Sequence, residues 1–110
     1  MDSYSIIMTP DAIDDMTDLR NYIADVLGVP KTAFAYIRTV REEIGSLTEM
    51  PARYKPVDEE PWHSRGVRRF LVKNSFVYYR IDESARKVYI MNVIYARRDQ
   101  LRAMAGMKSD

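Results

Sequence analysis

The chain has 110 residues and 12.9 kDa, with 17 basic and 16 acidic side chains, 46% apolar residues and no cysteine. That size holds one domain with one core and excludes a second catalytic domain. The lack of cysteine excludes disulfides, thiolate zinc sites and cysteine nucleophiles. No run approaches the roughly 20 apolar residues that a bilayer span needs, so no membrane contact is expected. The N-terminus, Met1-Asp2-Ser3-Tyr4, has no basic start before an apolar stretch, and the whole predicts a cytoplasmic protein.

Tyr4 to Met8 reads as a short strand. Thr9-Pro10-Asp11 then opens a helix: Thr9 caps the free amides, Pro10 suits the first helical position, and Asp11 suits the positive end of the dipole. Ile13, Met16, Ile23, Val26 and Leu27 recur at helical spacing, and Gly28 ends the helix. Val29-Pro30 starts a second helix at once. Ala33, Ile37, Val40, Ile44 and Leu47 form its apolar stripe, and Met50-Pro51 stops it. So short a gap predicts an antiparallel αα-hairpin.

Residues 51–66 are irregular and carry three prolines, Asp58-Glu59-Glu60, and the only tryptophan and histidine, Trp62 and His63. A connection this long is either functional or packed by its own side chains. Three strands follow, Val67–Val72, Phe76–Ile81 and Val88–Tyr95, joined by short polar turns into an antiparallel meander. Asp99 caps a last short helix through Met104. The order β-α-α-β-β-β predicts a two-layer α+β domain spanning residues 1–110. An αα-hairpin covers one face of a small, mainly antiparallel sheet, and the first strand sits at one edge.

Strand alternation puts Val77, Tyr79 and Ile81 under the helices and Phe76, Tyr78 and Arg80 on an exposed face. Arg68 and Arg69 are adjacent and point opposite ways. Both faces of Val88–Tyr95 are largely apolar, as in a strand buried on both sides or one reserving a face for a partner. Charge is split along the chain. Residues 1–60 hold 6 basic and 12 acidic side chains, and residues 61–110 hold 11 and 4. Arginines interleaved with aromatics on a sheet suit RNA, because guanidinium groups pair with phosphates and rings stack on bases. The same pattern also suits a plain soluble strand edge.

One histidine and no cysteine argue against triad nucleophiles and zinc, and no glycine-rich phosphate loop is present. Asp58-Glu59-Glu60 reads as a solvated run, so neither metal nor cofactor is expected. His63 is either a base or, with Trp62, a plug holding the loop to the body. One chemistry survives: RNA cleavage by its own 2′-hydroxyl, which needs a proton acceptor, cations for the phosphorus oxygens and an acid for the leaving group.

Several motifs are in the order and spacing of one family. They are Thr9-Pro10-Asp11-Ala12, Asn21-Tyr22-Ile23-Ala24, Ile44-Gly45-Ser46-Leu47 and Met50-Pro51-Ala52-Arg53, then Gly66 to Val72, Val77 to Glu83 and Val93 to Asp99. Over nearly its whole length the chain resembles the RelE/ParE toxins of bacterial type II toxin–antitoxin systems, a family that includes plasmid stabilisation proteins. The resemblance implies a growth-inhibiting toxin held inactive by a cognate antitoxin that wraps around it, in a possible hetero-oligomer, with the open sheet face as part of that surface. It also implies one of two targets. RelE-like members cut messenger RNA in the ribosome by 2′-hydroxyl attack without metal. ParE-like members poison DNA gyrase.

Arg69, and Arg97 or Arg98, match the RelE-like catalytic arginines. Phe76 or a neighbour stands where those enzymes carry a further arginine, and no tyrosine follows Leu101 in the tail. Tyr95 is the candidate replacement for that tyrosine. Arg68, Lys73, Arg80 and Tyr78 are candidate contacts to substrate or target. The two departures, with Tyr22-Ile23-Ala24 and Arg97-Arg98-Asp99, resemble the ParE-like branch more, so gyrase poisoning is the favoured reading. A ribosome-dependent endoribonuclease is the alternative, and a non-toxic RNA- or protein-binding domain is a further one.

Overall fold

A computed structural model of the chain describes residues 3–96 and 100–108. The elements are β1 (Ser5–Met8), α1 (Pro10–Asn21), α2 (Pro30–Gly45), β2 (Arg68–Val72), β3 (Ser75–Asp82), β4 (Lys87–Tyr95) and α3 (Gln100–Ala105). β2, β3 and β4 form the expected antiparallel meander. β1 sits at one edge, parallel to β4, so the four-stranded sheet is mixed, in the order β1-β4-β3-β2.

The helix hairpin covers one sheet face. Its core joins Ala12, Met16, Leu19 and Ile23 from the first arm and Ala33, Val40, Ile44 and Leu47 from the second. The sheet contributes Phe70, Val77, Tyr79, Val88, Ile90 and Val93. The stripe of the second helix is the predicted one. That of the first is not. After Asn21 the backbone widens into a π-turn over Tyr22–Val26, which rotates the residues beyond it. Ile23 stays inside, whereas Val26 and Leu27 face solvent; Ile13, in the regular part of α1, is half exposed independently of this turn. Gly28 ends the arm at φ +70°, a conformation that favours glycine.

β1 is only four residues long, so it leaves the outer edge of β4 unpaired beyond Ile90. Helix α1 supplies the missing partners. The Thr9 hydroxyl donates to the carbonyls of Ile90 (2.7 Å) and Met91 (3.1 Å), while the same oxygen accepts from Ala12 N as the helix cap. Asp15 Oδ2 accepts from Val93 N (2.9 Å) and from the Asn92 amide (3.0 Å). Burial pushes the Asp15 carboxyl up, and these two hydrogen bonds pull it partly back. A bulge in β4 makes this geometry possible. Tyr78 pairs with Asn92 and Tyr79 with Ile90, which leaves Met91 as the extra residue. The residues of β4 that face the helices therefore run Val88, Ile90, then Val93, with a change of parity across the bulge.

The opposite face is not open, which corrects the two-layer expectation. Val57, Trp62 and Val67 from the long connection, and Met104 and Met107 from α3 and the residues after it, pack on Tyr78, Met91 and Ile94. Tyr78, expected to be exposed, is fully buried. The connection is closed by its own hydrogen bonds: His63 Nδ1 to Val57 O (2.8 Å), and Ser64 N and Oγ to the Glu60 carboxylate. Trp62 is the buried plug of this pair, and exposed His63 ties the connection to Val57 through Nδ1. β4 is buried on both sides.

Replacing Asp15 with alanine leaves Val93 N and Asn92 without their acceptor. The expected loss is about 1–3 kcal/mol of unfolding free energy, measured by urea denaturation. An unchanged midpoint would show that water replaces the carboxylate there.

Candidate target-binding site

Adjacent residues on a strand face opposite sides, and the two arginines of β2 do so. Arg68 pairs with Tyr79 on the hairpin side, and Arg69 pairs with Tyr78 on the other. Arg68 donates to the carbonyls of Ala52 and Tyr54 and so holds the turn after the second helix. Its Nη1 is thereby committed to backbone. Arg53 does the same for the end of that helix, donating to the carbonyls of Ser46, Glu49 and Met50.

Arg69 is arranged differently. Its guanidinium lies 4.5 Å from the Phe76 ring centroid and 5.9 Å from that of Tyr78. One N–H donates to the Tyr78 hydroxyl (3.2 Å), which in turn donates to Gln100 Oε1 (2.8 Å). Gln100 Nε2 donates to Tyr95 O (3.0 Å). A half-buried cation is thereby held over a ring with further donors unspent among the described residues. Such a group recognises a carboxylate or phosphate.

The other candidates fall around it. Arg80 lies on the same face, one row along β3, with its guanidinium 4.3 Å over the Tyr89 ring. Lys73 occupies the β2–β3 turn at φ +55° and is exposed. Tyr78 is brought to Arg69 as part of its support. The Tyr95 side chain is not brought there. It packs among the hairpin-side residues, with its ring 5.9 Å from that of Tyr22, and only its carbonyl reaches the Arg69 chain. Arg97 and Arg98, and the cap Asp99, lie outside the described residues. Among the described residues no three histidine or acidic side chains come together as metal ligands, and no helix is long and apolar enough to cross a membrane.

Gln100 was not read from the sequence, because a lone glutamine carries no pattern. A second feature was missed as well. Between α1 and α2, above β1, runs a groove of about 930 Å³ lined by Ile6, Met8, Ile13, Met16, Phe34 and Ile37, with Arg20, Arg38 and Arg41 on its walls. Phe34 is 68% exposed and Ile13 52%. The signal was available: Phe34 lies off the buried stripe of its helix.

The family model for the ParE toxin of the type II toxin–antitoxin system, parDE, matches residues 6–100. The chain belongs to the ParE toxin family. Solved structures agree on the fold of this toxin. The chromosomal ParDE system of Pseudomonas aeruginosa superposes with a TM-score of 0.71 at 16% identity, covering 88% of this chain and all of that one. A RelBE2 toxin–antitoxin complex of Mycobacterium tuberculosis gives 0.61 at 25% identity, covering 86% and 93%. A mutant Escherichia coli RelE toxin in the free state gives 0.62 at 10% identity, covering 92% of each. No curated protein sequence matches the chain.

The two neighbouring tyrosines of β3 set a pH limit. Burial raises Tyr79 to about 12 and also raises Tyr78, against the pull of Arg69. The Tyr79 hydroxyl donates to Pro51 O (2.6 Å). The folded state keeps that proton where the unfolded chain releases it near pH 10. The stability it contributes is full below about pH 10 and is lost as pH rises towards 12. In a phenolate absorbance titration of the eight tyrosines, at least one is expected to ionise only with unfolding. Replacing Tyr79 with phenylalanine should lower the amplitude of that late step by one phenolate, leaving the contribution of buried Tyr78. Smooth ionisation of all eight while the far-ultraviolet signal stays native would contradict this.

Proposed function

We propose that this ParE-family toxin acts in the cytoplasm by poisoning DNA gyrase, with Arg69 as a contact to its target. The observation that carries the reading is the environment of Arg69. Cleavage by a 2′-hydroxyl needs a group beside the cation to take a proton. Among the described residues the groups in contact with Arg69 are Phe76, Tyr78 and, through Tyr78, Gln100, and the Glu59 carboxylate acts on Tyr78 through its charge. The Tyr78 proton is given to Gln100, and burial raises the hydroxyl's pKa, so it is a poor base at neutral pH. This arrangement supports a contact surface over a nuclease centre, and the family match supports the same branch. Arg80, stacked on Tyr89, extends that surface along β3.

The toxin's neutralising partner is a cognate antitoxin, consistent with the toxin–antitoxin complexes of the structural relatives. The groove between α1 and α2 is its seat. Ile13 and Phe34 offer anchors for the apolar face of an amphipathic helix, and Arg20, Arg38 and Arg41 suit an acidic flank. The site lies across the sheet from Arg69, so the open-face docking read from the sequence is replaced by docking on the helices.

In a supercoiling assay with purified gyrase, the toxin is expected to stop supercoiling and trap cleaved DNA on the enzyme. Arg69→Ala should raise the dose required about tenfold or more, as loss of a charge-assisted contact does. Intact gyrase activity, with ribosome-dependent cuts in messenger RNA in a purified translation system, would establish the ribonuclease reading instead. Phe34→Glu puts a negative charge and a truncated apolar surface in the groove. It is expected to weaken antitoxin binding by at least about tenfold in calorimetry while leaving gyrase inhibition intact. Unchanged antitoxin affinity would move the seat elsewhere.

A further inference from the structure

We propose that Tyr78 and Gln100 are positioning residues for Arg69, and that they tie the orientation of its guanidinium to the seating of α3. The inference rests on the reading of Arg69 as a target contact, but the geometry itself is independent of which target it meets.

The direction of the hydrogen bonds is forced. Arginine only donates, so the Tyr78 oxygen must accept from Arg69. The Tyr78 proton must then go to an acceptor, and Gln100 Oε1 lies 2.8 Å away. That fixes the amide with its nitrogen towards Tyr95 O, at 3.0 Å. The result is a one-way chain from the edge strand β2 through β3 and α3 to the end of β4. Each member polarises the next.

Burial makes the chain costly to break. Tyr78 has no exposure, so water cannot substitute for Gln100 at its hydroxyl without opening the second core. Gln100 is the first residue of α3, and α3 is held by Met104 and, just beyond it, Met107, both buried against Tyr78, Met91 and Ile94. The Phe76 ring holds the guanidinium at 4.5 Å from its centroid, and the Tyr78 hydroxyl anchors one N–H of the group. A freely rotating arginine would lose side-chain entropy on meeting its target, and this one has lost part of it in folding. Any partner that shifts α3 therefore also alters Arg69.

The test is a double-mutant cycle with an independent structural readout. Tyr78→Phe keeps the buried ring and removes the hydroxyl. Gln100→Leu is the second variant, in case the first fails to fold. Each is compared in gyrase inhibition with wild type, with Arg69→Ala, and with the corresponding double variant. A loss of about fivefold is expected in the wild-type background and none where Arg69 is absent. The same loss in both backgrounds would overturn the proposal, because the residues would then be acting on the fold. In parallel, the Arg69 side-chain Nη–Hη signals are followed by NMR at low temperature in the free toxin, because Nη1 is the nitrogen that donates to Tyr78. Faster Hη exchange and freer rotation of the guanidinium in Tyr78→Phe or Gln100→Leu are expected, and unchanged behaviour would overturn the proposal. If Arg69→Ala leaves gyrase inhibition unaltered, the target-contact reading fails, and the Hη signals still decide the positioning claim.

Discussion

Strand β4 must be covered on both faces and supplied with partners along both edges. Most of the architecture answers that requirement. Val88, Ile90 and Val93 face the helix hairpin, and Met91 and Ile94 face the opposite layer. Along one edge β4 pairs with β3 throughout. Along the other, β1 covers only the first half, and Thr9 and Asp15 of the first helical arm satisfy the backbone beyond it. Burying these apolar residues is favourable, but a buried backbone N–H or C=O without a partner offsets that gain by more than one such contact. The helix therefore has to sit close enough for side chains to reach the strand edge.

This arrangement places the two proposed regions on opposite sides of the sheet. On the hairpin side, the two helices splay enough to leave an apolar groove flanked by arginines. On the other side, the long connection and α3 close most of the face and leave Arg69, Phe76, Arg80 and Tyr89 at its margin. A partner in the groove and a target at Arg69 need not compete for the same atoms. The sheet separates the two sides, and α3, whose first residue accepts from the Tyr78 hydroxyl, lies on the Arg69 side.

Much of the fold was legible in the sequence because it depends on periodicity and turn chemistry. The second-helix stripe, the Thr9 cap, the Gly28 stop and the three-strand meander all came from local pattern. The π-turn at Tyr22–Val26 did not, since nothing in Tyr22-Ile23-Ala24-Asp25-Val26 distinguishes one extra residue in a turn from an ordinary helical one. The second core was half visible. A strand apolar on both faces demands two covers, yet the covering residues Val57, Trp62, Met104 and Met107 are too widely spaced to show a period. For the site, pattern picked out Arg69 and its neighbours on the sheet but not their roles. Arg68 and Arg69 are identical in sequence terms, and only strand pairing separates the one that braces a turn on the hairpin side from the one that meets Tyr78 on the other. Tyr95 shows the same limit, because its place on the hairpin side follows from a bulge at Met91 that changes the parity of β4.

The division of the molecule into a neutralising face and an acting face is the centre of this account. Amide hydrogen exchange of the toxin, alone and bound to its antitoxin, tests it most directly. The account predicts the largest slowing of exchange on binding in α1 and α2 around Ile13, Arg20, Phe34 and Arg41, with smaller changes at Arg69 and Phe76. Slowing confined to β2 and β3, with the two helices unaffected, would contradict it.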